Sequence, residues 1–586
     1  MILKGITAIA ALMWLSAVHL AAATFTVTNT LDDGPGSLRQ AITDANLFPG
    51  LDTIAFNIPG AGVHTIRPEG DLSQITDPVN IDGYTQPGSA PNTLPNGNNA
   101  VLLIELKGSQ SGLRLVAGGS TVRGMAILQC DWGITITGGN GNTIAGNFIG
   151  IHATGAPWTP NLAFPGRVGI EVGSSYNMIG GVTPAARNVI SGWTDAWPLA
   201  QGSFRGGILI DSFSVGNVIQ GNFIGTDPSG LITNYKTFLD PIFGNSNGIT
   251  IAGHYNVVGG TVPEARNVIA GNVIGVAVVG FAGVPSLGNK IQGNAIGTDI
   301  TGRTALPNYV YGIIVQHAAE NIIGGTESGT GNVIAYNGGG DEWRLYVSAL
   351  SAGVALAPPN IGPTPIRGNS IFANGFMRNT GTMLGIDLGN DGVTPNDDGD
   401  PIVIVEPNFI GAISWQNFPV LTSVTVSGGN TTIQGTLNSR ASNAFELDFF
   451  ANSAADPTGY GEGEFFLGWT AVNTDDNGNA SFSVTFPIEV PGGYFISSTA
   501  TASADETTSG TSEFSQVIQV IPTLSINDVT AMEGPDDART DFTFTVSLSG
   551  PSSQTVTVAC ATADGTAKSN SDYFPVPPVM VMPQSH

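Results

Sequence analysis

The chain runs to 586 residues and carries 45 acidic against 19 basic side chains, a formal net charge of −26. Such a field repels phosphate backbones and anionic membrane surfaces, which excludes nucleic acid as a partner and points toward divalent cations. With 80 glycines, 41% hydrophobic and only 11% charged residues, the composition excludes disorder and leaves ample apolar surface for a core.

The opening stretch, MILKGITAIAALMWLSAVHLAAA, places Lys4 ahead of an apolar run from Ile6 to Leu20 and an Ala21-x-Ala23 ending. This predicts a secretory signal peptide over residues 1–23, cleaved after Ala23, because the run is shorter than the ~20 residues a membrane span needs. No later segment is apolar enough to span, so the mature chain is expected to lack a transmembrane segment and to be secreted or held at the cell surface. Cys130 and Cys560 fall in segments assigned below to different domains, so no disulfide is expected.

In GPGSLRQAITDANLFPG, residues 34–50, Ser37 and Gln40 have capping-box spacing, and Leu38, Ala41, Ile42 and Ala45 form one apolar helical face. Pro49-Gly50 stops the helix. Downstream come short strands of the form Gly-Ile-x-Ile (GITI at 133, GIEV at 169, GILI at 207, GITI at 248, GIIV at 312), each followed by a second element that opens with Asn. Helical repeats are excluded, since apolar residues alternate over a few positions and then meet Gly or Asn. A longer repeat is superposed: Asn142, Asn217 and Asn289 are separated by 75 and 72 residues, and YNMIGGVTPAARNVISG at 176 matches YNVVGGTVPEARNVIAG at 255. Periods of this kind mean stacked units, each too thin to bury its own apolar face.

These features predict an all-β protein whose first part, residues 24–410, is a right-handed parallel β-helix, a solenoid capped by the helix at 34–50. Ile and Val would fill its interior, while Asn and Gly would sit at corners that need left-handed backbone, with Asn stacked on Asn. GTDPSG at 225 and GTDITG at 297 would be loops projecting from one side. Beyond residue 410, runs alternating with period two, such as AFELDFFANS and ASFSVTFPI, predict an antiparallel β-sandwich over 411–520.

The segment FTVTNTLDDGPGSLRQAITDAN and the rungs NxIxGNxIGTDxxG resemble the CSLREA-type secreted bacterial β-helix proteins of the pectin-lyase-like fold, over about the first two thirds of the chain; Gly36 stands where that family has Cys. FFANSAADPTGYGEGEFFLG is similar to the Ig-like module that commonly follows such helices. The last segment, 521–586, resembles part of a Calx-beta domain, with Ile526, Asp528, Glu533, Gly534 and the run TADGTA as landmarks. That resemblance implies Ca²⁺ ligation by Glu533 and Asp564, with Asp572 supporting a turn. The chain ends in FPVPPVMVMPQSH, where prolines replace a strand.

Candidate chemistry rests on carboxylates. In DLGNDGVTPNDDGD, Asp387, Asp391, Asp397, Asp398 and Asp400 sit in a Gly-rich loop with free carbonyls, and Ca²⁺ takes hard oxygen ligands. The spacing is not that of an EF-hand, and a solvated acidic linker is the bland alternative. Asp131, Glu171 and Asp211 border Gly-Ile-x-Ile strands and become a polysaccharide lyase or glycosidase pair only if they share a face. His64, His152, His254 and His317 lack metal spacing and read as surface or corner residues. Trp158, Trp193, Trp197 and Trp343 fall between rungs, where exposed rings would stack on sugars. Together these features favour a non-catalytic structural, adhesive or carbohydrate-binding protein with an extracellular glycan or surface protein as partner and weak calcium binding; a carbohydrate-active enzyme and a calcium-dependent adhesin are the alternatives.

Overall fold

A computed structural model describes residues 22–108, 110–158, 167–193, 206–233, 244–281, 284–338, 352–357, 364, 366–367, 369–372, 374, 384–400, 415–502, 510–532, 540–548, 556–569, 571–576 and 579–581. The expected signal peptide, Glu533, Trp197 and Trp343 lie outside these residues, apart from the last two residues before the cleavage point.

Three long parallel sheets make up the first part. Sheet A runs through 11 strands from Thr24–Val27 to Ile366–Arg367, sheet B through 10 from His64–Ile66 to Ser370–Phe372, and sheet C through 9 from Ser111–Leu115 to Ile386–Leu388. Successive strands within each sheet come from successive turns of the chain, so the fold is a parallel β-helix. The central Ile or Val of each short sheet A strand faces inward, and these side chains form one continuous core, including Ile144, Ile179, Ile219, Val258 and Ile291.

Asparagines do the corner work. One ladder climbs through Asn142, Asn177, Asn217, Asn256, Asn289 and Asn321, each Nδ2 donating to the next Oδ1 at 2.8–3.0 Å. A second links Asn147, Asn188, Asn222, Asn267, Asn294, Asn332 and Asn369, and a third Asn245, Asn272, Asn308, Asn337 and Asn374. All are buried, so each ladder satisfies amides that would otherwise be stranded without water. Asn142, Asn217 and Asn289 thus share one column, and the long sequence repeat is two turns. One expectation needs correcting: the left-handed residue is the one before the Asn, occupied by Gly141, Tyr176, Gly216, Tyr255, Gly288 or Glu320, because the Asn itself must lie in register to reach its neighbours.

Sheet C has its own glycine column. A Cβ on Gly133, Gly169, Gly207, Gly248, Gly275, Gly312 or Gly353 would fall within 2.8 Å of the carbonyl oxygen of the glycine one turn on. Any side chain there would push the turns apart, which is why each Gly-Ile-x-Ile strand starts with Gly.

The helix Leu38–Leu47 covers the first turn with Leu38, Ala41, Ile42 and Ala45, all buried. Only half of the capping box forms: Ser37 Oγ accepts from Gln40 N, but the Gln40 side chain turns to Asp44 instead. At the opposite end stands a two-sheet antiparallel sandwich. Strands Val420–Ser427, Asn430–Asn438 and Asn479–Phe486 pair in one sheet, and Ala444–Asn452, Phe465–Asn473, Phe495–Ala502 and Ile518–Gln519 in the other. Its core centres on Phe445, Phe449, Phe482 and Phe486.

This sandwich plugs the solenoid. Phe450 and Phe514 enter the β-helix core. The last strand of each sheet is bonded to it: Ile366 N donates to Thr511 Oγ1 at 2.8 Å, Ile371 pairs with Gly463, and Leu388 N donates to Glu513 Oε1 at 2.9 Å. Open strand edges are thereby covered. From residue 521 onward the picture changes. The described residues form two separate two-stranded ladders, Leu524–Ile526 with Val546–Leu548 and Val558–Cys560 with Val579–Val581, and none of those whose exposure is described is buried.

Candidate functional site

Along the outer face of sheet C, Arg114, Thr135, Glu171 and Leu209 stand side by side in register on four consecutive turns. Alternation puts Ile134 and Ile136, Ile170 and Val172, and Ile208 and Ile210 in the core, so the residue between each pair must face out. Asp211 follows on the same face, its Oδ2 lying over Gly173, two residues beyond Glu171. Both carboxyls are half-buried. Burial, reinforced by the charge of Asp211, raises Glu171 above the usual carboxyl range against the pull of Arg114; burial alone raises Asp211.

At the start of these strands lies Trp132, partly exposed, with the Arg167 guanidinium 5.2 Å from its ring centroid and Asp131 Oδ2 4.0 Å from Arg167 Nε. Of the three candidate acids, Glu171 and Asp211 come together, while Asp131 belongs to the Arg167–Trp132 end. Trp132 and the two arginines were missed from sequence; the signal available was a Trp directly preceding a Gly-Ile-x-Ile strand. Among candidate aromatics, Trp158 and Trp193 are buried rather than exposed, at 6% and 1%. Trp193 takes the ladder position ahead of Asn245, its backbone N bonded to Asn245 Oδ1 and its Nε1 to Ile149 O, because a wide indole fills the corner where the third ladder begins.

A second ionisable cluster sits on sheet B. Glu105, 4% exposed, accepts from Lys107 Nζ at 2.7 Å, His152 Nδ1 at 3.1 Å and Ala153 N at 3.1 Å. Burial opposes its ionisation, but these bonds outweigh it and hold the carboxyl below its ordinary value. His152 is therefore a clamp for the loop after Phe148–Ile149 rather than a plain surface residue. The GTDxxG loops are likewise self-contained, with Asp227 and Asp299 each accepting from residues two to five further on.

The acids expected to bind calcium do not gather. Asp387 is buried in the last sheet C strand, with Oδ1 accepting from Asp391 N and Gly392 N and Oδ2 without a partner. Asp391, Asp397 and Asp398 are exposed. Asp400 is buried against Gln416, Asn417 and Ser439. Asp564 is exposed and spends Oδ1 on Ser569 N and Tyr573 OH, while Asp572 accepts from Lys568 N in a turn. Among the described residues no group of three or more His, Cys, Asp or Glu side chains is placed to hold a metal.

No helix among the described residues is long and apolar enough to cross a membrane. The chain matches no known protein family, and no curated protein matches it. Among solved structures it is similar to an alginate lyase from Paenibacillus sp. str. FPU-7, at 13% identity and a TM-score of 0.29, covering 63% of this chain and 98% of that one. It is also similar to a tailspike protein of E. coli bacteriophage HK620 in complex with a pentasaccharide, at 11% identity and a TM-score of 0.22, covering 81% and 92%.

Proposed function

We propose that the protein is a secreted or cell-surface β-helix that binds glycan without chemical turnover on the outer face of sheet C. The observation that carries this reading is the juxtaposition, on one rigid face, of the Trp132–Arg167 stack with the half-buried carboxyls of Glu171 and Asp211. An aromatic body beside directional hydrogen-bonding groups is what a sugar ring, apolar on one face and hydroxylated around its rim, asks of a site. By strand geometry, Trp132 and Glu171 are about 10 Å apart along and across the sheet, room for a short oligosaccharide.

A glycan array on the mature chain tests this, with Trp132→Ala expected to weaken binding roughly tenfold; an unchanged array profile for the variant overturns the reading. One observation favours the enzymatic alternative: Glu171 is raised beside Asp211, the pairing of a general acid with a second carboxylate in glycosidases. Measured release of reducing or unsaturated ends that Glu171→Gln abolishes would make the face an active site. The calcium-dependent adhesin reading rests on Asp564 and on Glu533; a rise in Tm on Ca²⁺ titration of the full chain would support it.

A further inference from the structure

The core of the solenoid repeats every turn, but part of its surface repeats every second turn. In the corner column ahead of the first asparagine ladder every residue is left-handed, and the occupants alternate Gly141, Tyr176, Gly216, Tyr255, Gly288, with Glu320 last. Tyr at φ 57 and 52 is strained where glycine is not. Nor do the tyrosines earn burial, being 65% and 58% exposed. Each ring instead lies over the glycine of the next turn: a Cβ on Gly216 would be 2.7 and 2.8 Å from Tyr176 Cε1 and Cδ1, and Tyr255 covers Gly288 in the same way. The intervening glycines are what let the rings lie down.

The same alternation recurs at the far end of these sheet A strands. In register stand Gly180 and Gln220, then Gly259 and Gln292 one turn after another. Between the two edges runs a half-buried apolar strip of Met178, Val218 and Val257, followed in register, on the strand that carries Gln292, by the exposed Lys290. The face therefore offers strained, exposed rings along one edge and amides along the other, each spaced by two turns, ~9.6 Å at the usual strand separation.

We propose that this face of sheet A binds an extended, uncharged β-linked polysaccharide in register with the solenoid, one disaccharide per two turns, with Tyr176 and Tyr255 stacking on alternate sugar rings and Gln220 and Gln292 bonding the hydroxyls. An extended β-1,4-linked chain turns over at every sugar, so like faces recur once per disaccharide, the period at which this surface repeats. Charge selects within the class, because a protein at −26 repels a polyuronate and the strip sets a single cation, Lys290, against that field. This site is separate from that of Trp132 and does not depend on it.

The test is co-sedimentation of the full chain with microcrystalline cellulose and with chitin, polygalacturonate serving as the anionic polymer. Tyr176→Gly and Tyr255→Gly place at those φ values the residue that neighbouring turns already use, so both variants are expected to fold, with Tm unchanged or higher. Each should lose roughly tenfold in binding, and the double variant more. The proposal is overturned if the parent sediments with neither neutral polymer, if it prefers polygalacturonate, or if the double variant binds undiminished.

Discussion

The two ends of the solenoid are closed by opposite chemistry. At the start, a ten-residue helix buries aliphatic side chains alone, while its Arg39 and Asn46 bond at the surface to Asp32, Gly70, Asp71 and Gln74. At the finish, the sandwich brings Phe450 and Phe514 but also the carboxylate of Glu513, which accepts from Leu388 N, Thr394 N and Thr394 Oγ1 while 2% exposed. Burial pushes Glu513 up to about 8, opposed by those N–H groups and aided by Asp387, itself pushed to about 6. The first lid's one ion pair, Arg39 with Asp32, lies at the surface, whereas the second lid is bonded through a buried carboxyl.

Three measurements would break or sharpen that contrast. The largest effect is expected from Ile42→Asp, which puts a carboxylate at a position 1% exposed; a loss on the order of 5 kcal/mol should appear as a lower Tm across the whole pH range. Next comes the far end. Glu513 rises from an ordinary 4.5 to about 8, so between those values the native state keeps a proton that the unfolded chain has released. Stability is therefore fully present below pH 4.5, falls as the pH rises, and levels off above about 8, by an amount on the order of a few kcal/mol. Glu513→Gln sacrifices one of the bonds at pH 5 but should flatten the slope of Tm against pH; a parent slope that survives in the variant would remove Glu513 as its cause. Smallest is Asn256→Ala in mid-ladder, expected to cost ~1–3 kcal/mol for stranded neighbours. That cost should be equal at pH 5 and pH 8.5, since no titrating group bonds to Asn256.

Much of this was legible in the sequence because the solenoid writes its own geometry repeatedly. Asn142, Asn217 and Asn289 declared a column, and Leu38, Ala41, Ile42 and Ala45 declared the first lid, since the 3.6-residue and two-turn periods survive in the letters. The second lid was invisible. Thr511, Glu513 and Glu462 meet the last turn across 88 to 145 residues of chain, and no local pattern encodes such a contact. Exposure was equally hard to read: Trp193 sits between rungs in the sequence, yet the absent first member of the third ladder leaves a corner that an indole fills. The carboxyls of Glu171 and Asp211 could be named but not paired, because their meeting depends on how one turn registers on the next.

Up to the last member of each ladder the asparagines point the same way, Oδ1 accepting from the preceding turn and Nδ2 donating to the following one. Stacked amide dipoles so aligned do not cancel as strand dipoles largely do; they add, as peptide units add along a helix. Each column therefore carries its amide oxygens toward the helix end and its amide N–H groups toward the sandwich. Asn374, where the third ladder stops, donates its N–H to Glu462 Oε1 at 3.2 Å, so a carboxylate meets the column at the pole that attracts it.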